Sequence, residues 1–220
     1  MQVVFRVDAS TQIGTGHVMR CLALSQAWQD TQGQPIFVIA TSVPALEERL
    51  NSEGMQICCQ SLLVVAAHPD DEVLGCGGTI ARLAQQQAQV SVLFVADGVS
   101  ARDRADTSEL ERRQTAANQA AQCLGIQSVI FGNFPDNRLD SVDLLDIVKP
   151  IEKAIAQYQP DLVLTHHAGD VNIDHQRVHQ AVVTACRSQP GHPVKTLLFF
   201  EVQSSTEWQP LGSAPTFAPN

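Results

Sequence analysis

Two short polar runs hold most of the chemistry that this sequence can carry. His68-Pro69-Asp70-Asp71-Glu72 closes the apolar stretch 62–67, and His166-His167-Ala168-Gly169-Asp170-Val171-Asn172-Ile173-Asp174-His175 closes a second apolar stretch at 161–165. His68 and Asp71, three apart across a bend held by Pro69, can aim at one point, and His175 at the start of the next helix can supply a third ligand. Two imidazoles and a carboxylate, with a position left open for water, form the ligand set of catalytic rather than structural zinc. Asp70 lies between two of these ligands and need not coordinate. A carboxylate so placed can take a proton from water that a cation acidifies toward a pKa of about 7. Glu72 either supports the ligands or favours a helix N-terminus. A plainer account makes Asp70, Asp71 and Glu72 capping acids and His68 a strand-end residue. The Asp174-His175 pair after a second strand favours the metal. His166 and His167 are as readily hydrogen-bonded loop residues as site groups, and His179 and His192 read as surface residues.

Both runs must be brought together by the elements before them. Open parallel sheets bind ligands beyond the carboxyl ends of their strands, where the strand order reverses, so if the strands at 62–67 and 161–165 are neighbours there, the two polar runs face each other. Strands at 90–96, 128–131 and 195–202 alternate with helices around 79–87, from about 107 to a Gly125 stop, over 141–158 with a perturbation at Pro150, and over 174–188. That alternation predicts a doubly wound α/β domain. Residues 1–58 read as a separate βαβαβ fragment: a strand at 3–7, a Gly14/Gly16 loop, a helix at 17–31, a strand at 35–40, a helix opened by Ser42-Val43-Pro44 and a strand at 55–59. So small a parallel sheet cannot cover both its faces, which points to support from the rest of the chain or to a homo-oligomer.

Composition removes several classes of function. Among 220 residues, 14 basic against 23 acidic side chains give a net charge of −9, with only three lysines, so a nucleic-acid or anionic-lipid partner is not expected. No apolar run is long enough for a membrane span. No cationic leader precedes an apolar stretch at the N-terminus, which predicts a cytoplasmic protein. The six cysteines lack C-x-x-C spacing and read as buried thiols. A small neutral partner is the expectation.

The stretch AAHPDDEVLGCGGTIARL resembles the opening of the zinc-dependent, LmbE-like N-acetylglucosaminyl-phosphatidylinositol de-N-acetylases. The likeness runs on through the strand ending ADG, the Arg-bearing helix ending Leu-Gly, PDNRLD, THHAGDVNIDH and FFEVQSSTEW, over about residues 61–220. It implies a Rossmann-like fold and hydrolysis of the acetamido group of a small sugar or glycoconjugate, with Zn2+ or another divalent ion on His68, Asp71 and His175 and with Asp70 as general base. It also implies sugar-binding roles for Arg113, with Arg112 as the alternative register, and for Asp136. Many such proteins carry a histidine three positions before the last ligand, where this chain has Asn172. An amide can donate to an oxyanion but cannot deliver a proton, so the leaving amine must draw its proton from His166, His167 or the reprotonated Asp70. Such proteins also continue beyond the segment matching APTFAPN, so the chain reads as short at its C-terminus.

The N-terminal stretch FRVDASTQIGTGHVMRCLALSQAW is similar to the start of the UDP-sugar hydrolases of pseudaminic acid synthesis, which implies an active-site role for His17. The likeness stops near residue 58. Three functions therefore stand: a metal-dependent deacetylase, a nucleotide-sugar hydrolase working from the N-terminal segment, and a non-catalytic sugar- or metal-binding remnant.

Overall fold

Residues 2–7, 16–32, 34–39, 61–101, 107–203, 205–208 and 215–217 are described by the structure, a computed structural model. The chain divides into two compact units, Met1–Cys58 with Ala218–Asn220, and Cys59–Phe217. In the first, β1 (Gln2–Val7) and β2 (Gln34–Ile39) pair in parallel, joined through α1 (Gly16–Gln29), with Leu22 and Phe37 buried. The expected helix from residue 42 and strand at 55–59, with the Gly14 loop and the Cys58-Cys59 pair, lie outside the described residues. His17 falls in α1.

The second unit carries the alternation read from the sequence. Its elements are β3 (Ser61–Ala66), α2 (Asp71–Gln85), β4 (Gln89–Ala96), α3 (Thr107–Leu124), β5 (Ser128–Phe134), α4 (Leu144–Tyr158), β6 (Leu162–His166), α5 (Ile173–Ala185) and β7 (Thr196–Phe200). Short 3-10 turns stand at Leu139–Ser141 and Thr206–Trp208. The five strands form a wholly parallel sheet in the order β5-β4-β3-β6-β7. The order reverses at β3, which pairs with β4 on one side and β6 on the other, so the loops after β3 and β6 open at the switch point.

Alternation along β3 divides the core. Leu63, Val65 and Ala67 pack with Ile147, Ile151, Val178 and Val182 from α4 and α5, whereas Leu62, Val64 and Ala66 pack with Ile80 and Ala117 from α2 and α3. Each such side chain removed from water contributes about 1.5–3 kcal/mol, so β3 is anchored from both faces.

Three expectations are corrected. The helix read at 79–87 starts eight residues earlier, at Asp71, and is kinked at Cys76 (φ −148°, ψ 19°). Pro150 sits inside an unbroken α4. Cys123 is exposed on α3, while Cys76 is buried.

Candidate metal centre

His68 lies just beyond β3, and His175 in the first turn of α5, after β6. The turn His68–Asp71 is closed by a hydrogen bond from the His68 backbone N–H to Asp71 Oδ2 at 2.8 Å. His68, Asp71 and His175 are all buried, at 7%, 4% and 2% exposure. His68 Nδ1 and His175 Nε2 each stand 3.3 Å from Asp71 Oδ2. Ligand atoms held about 2.0–2.1 Å from one tetrahedral ion lie roughly 3.3–3.4 Å apart. His175 Nε2 is buried and outside any hydrogen bond, the condition of an imidazole nitrogen with its lone pair kept for an ion. These three side chains therefore fit a divalent metal.

The far nitrogens of both imidazoles face carboxylates. His175 Nδ1 is 3.0 Å from Asp170 Oδ2, and His68 Nε2 is 3.1 Å from both Asp136 Oδ1 and Asp174 Oδ2. Carboxylates placed behind ligating histidines fix ring orientation and raise ligand basicity. Asp174 is itself held by the backbone N–H groups of Asn137 and Leu139. Burial alone would depress His68, but its bonds to Asp136, Asp174 and Asp71 prevail and raise its pKa to about 11. Burial likewise opposes the rise of His175 to about 9, which Asp170 and Asp71 produce. Asp71, despite its burial, is held well below the usual carboxylate range by His166, His175 and His68.

Asp70 differs from its neighbour in every respect. Its side chain is half exposed, and its backbone sits at φ 148°, a region that a residue with a Cβ seldom adopts. Two contacts hold it there. The buried Glu72 carboxylate accepts the Asp70 N–H at 3.0 Å, and Arg113 Nη2 donates to Asp70 Oδ2 at 2.8 Å. Partial desolvation and the Asp71 charge raise the Asp70 pKa, with Arg113 opposing. Burial lifts Glu72 to about 7.

The remaining expected residues are distributed unevenly. Asp136 meets His68 rather than open space, and Arg113 meets Asp70. Asn172 is the N-cap of α5: its Oδ1 accepts the Asp174 N–H at 2.9 Å, leaving Nδ2 as the end that can donate. His166 is fully buried beside His175. Its ring stacks on that of His175 at 3.9 Å, and its Nε2 accepts the Ala67 N–H at 2.8 Å, extending the β3–β6 ladder. Burial and the His175 charge lower its pKa to about 3. His167 bonds Pro215 O. Arg112 pairs with Glu109 on the exposed side of α3.

Sequence reasoning gave no role to Asp170, Asp174, Ser205 or Thr206. Asp170 lies in the loop before α5 and Asp174 beside His175 in its first turn, and that proximity was the available signal. Ser205 and Thr206 stand within the FFEVQSSTEW stretch of the likeness, but their approach to Asp170 depends on where β7 ends.

Residues 63–186 match the PIG-L family, described as GlcNAc-PI de-N-acetylase. The chain belongs to this family. It is 34% identical over 136 residues, 60% of this chain and 70% of the other, to an Escherichia coli K12 protein called uncharacterized deacetylase YaiS. A probable N-acetyl-alpha-D-glucosaminyl L-malate deacetylase 2 of Bacillus cereus is 29% identical, over 59% of this chain and 62% of its own length. Among solved structures, GalB, the 4-carboxy-2-hydroxymuconate hydratase of Pseudomonas putida, superposes with a TM-score of 0.53 at 26% identity, over 73% of this chain and 63% of its own. Among the described residues, no helix is long and apolar enough to cross a membrane.

Proposed function

We propose that the chain is a metal-dependent hydrolase that removes the N-acetyl group from an N-acetylated amino sugar or its conjugate. The observation that carries this reading is the approach of His68 Nδ1 and His175 Nε2 to a single Asp71 oxygen at 3.3 Å each, beside a half-exposed carboxylate. His68, Asp71 and His175 would hold the ion, and zinc suits two imidazoles and one carboxylate, although iron, cobalt and manganese accept the same donors. A divalent ion there supplies Lewis acidity toward the acetamide carbonyl and toward water.

Asp70 takes a proton from water as the water oxygen bonds the carbonyl carbon. Arg113 keeps that carboxylate aimed and ionised. Asn172 Nδ2 donates to the carbonyl oxygen as charge gathers on it. The carbon–nitrogen bond then breaks, and the proton held on Asp70 passes to the amine nitrogen, giving acetate and the free amino sugar. His166, neutral and stacked behind His175, positions the ring and gives no proton to the leaving amine. Asp136 orients His68, and this supports a role behind the ligand in place of the sugar-binding role read from resemblance.

The likeness to a hydratase favours a second reading, addition of water to a carbon–carbon double bond by the same base. Incubating the purified chain with a panel of acetamido sugars, free and conjugated, and assaying acetate separates the two. Acetate release that depends on a divalent ion supports the deacetylase, whereas hydration of an unsaturated acid without acetate release supports the other.

A further inference from the structure

Asp170 stands outside the three-ligand set, yet it is fully buried and saturated with contacts. Its Oδ1 accepts the Asn172 N–H at 2.8 Å; its Oδ2 accepts the hydroxyls of Ser205 at 2.9 Å and Thr206 at 2.6 Å and faces His175 Nδ1 at 3.0 Å. Both hydroxyls belong to the turn after β7, 35 and 36 residues further along the chain. Thr206 Oγ1 in turn accepts the Val202 N–H at 2.8 Å, which directs its own hydrogen toward Asp170.

We infer that Asp170, clamped by Ser205 and Thr206, is a positioning residue that fixes the tautomer of His175, making the turn after β7 a working part of the metal centre. The Asn172 N–H and the two hydroxyls all donate to Asp170, which places it as an acceptor throughout, so the hydrogen between it and His175 sits on Nδ1. The lone pair is then left on Nε2, the buried nitrogen that faces Asp71 and makes no hydrogen bond. Two hydroxyl donors keep Asp170 from rotating away. This inference rests on the metal-centre reading above.

The test is zinc affinity of the full chain, measured by competition with a chromophoric chelator for the parent, Asp170→Asn and the Ser205→Ala/Thr206→Val pair. Asp170→Asn is expected to bind zinc about 10–100-fold more weakly. The hydroxyl pair variant should fall in the same direction by less, since the carboxylate survives. Nitrogen-15 histidine NMR of the zinc-loaded parent should show His175 protonated on Nδ1, a readout that requires no variant to fold. Parent-like zinc affinity in Asp170→Asn overturns the inference while leaving the metal centre in place; a His175 protonated on Nε2 cannot ligate through that nitrogen and overturns the inference and the metal-centre reading together. A parent that binds no zinc overturns both.

Discussion

Asp70 and Asp71 are adjacent and chemically alike, yet the fold gives them opposite environments. Asp71 is buried among three imidazoles that stabilise its anion, whereas Asp70 is turned outward by a left-handed backbone that Glu72 and Arg113 hold in place. The account therefore expects Asp70→Asn to retain parent-like zinc content while acetate release falls by about 10²–10⁴-fold, the usual span for a general base. Parent-like turnover in that variant would remove Asp70 from the mechanism. Asn172 separates two duties. Asn172→Asp keeps an acceptor for the Asp174 N–H and should melt with the parent while losing turnover. Asn172→Ala should lose turnover and also about 1 kcal/mol of stability as the helix cap disappears, which paired melting curves and assays will resolve. At this scale the meeting of His68, Asp71 and His175 was legible, because their spacing and residue types suggest a shared ligand set. The meeting of Asp136 with His68 was not legible, since nothing in PDNRLD says that its carboxylate turns back onto that ring.

At the scale of elements, the apolar runs at 62–67 and 161–165 marked both strands, and the metal reading depended on their pairing, which β3 and β6 make. The start of α2 was hidden by its own composition. Gly75, Gly77 and Gly78 depress helix propensity by about 1 kcal/mol each, so residues 71–78 resembled a turn. Tertiary packing overrides that cost at Gly75, where an added Cβ would lie 2.3 Å from the Phe200 ring. Phe200 in turn packs against His166, which stacks on His175. Gly75→Ala should accordingly cost about 1–3 kcal/mol by overpacking and weaken zinc binding as the ring is displaced. An unchanged melting temperature would show that Phe200 yields freely.

For the whole molecule, charge and fold do not choose the reaction. The same architecture in a hydratase makes that plain, and the choice rests on the site. All the proposed ligands lie in the unit Cys59–Phe217. Zinc at about 100 times its Kd should add roughly 2.7 kcal/mol of stability, raising the melting temperature of the parent and leaving His68→Ala unmoved. Chelation should reverse the gain. The most direct measurement is the zinc-edge anomalous signal from a zinc-loaded crystal. The account predicts one peak about 2.0–2.2 Å from His68 Nδ1, Asp71 Oδ2 and His175 Nε2. A peak instead among His68 Nε2, Asp136 and Asp174, whose ligand atoms also lie within 4.8 Å of one another, would contradict it, as would no bound metal at all.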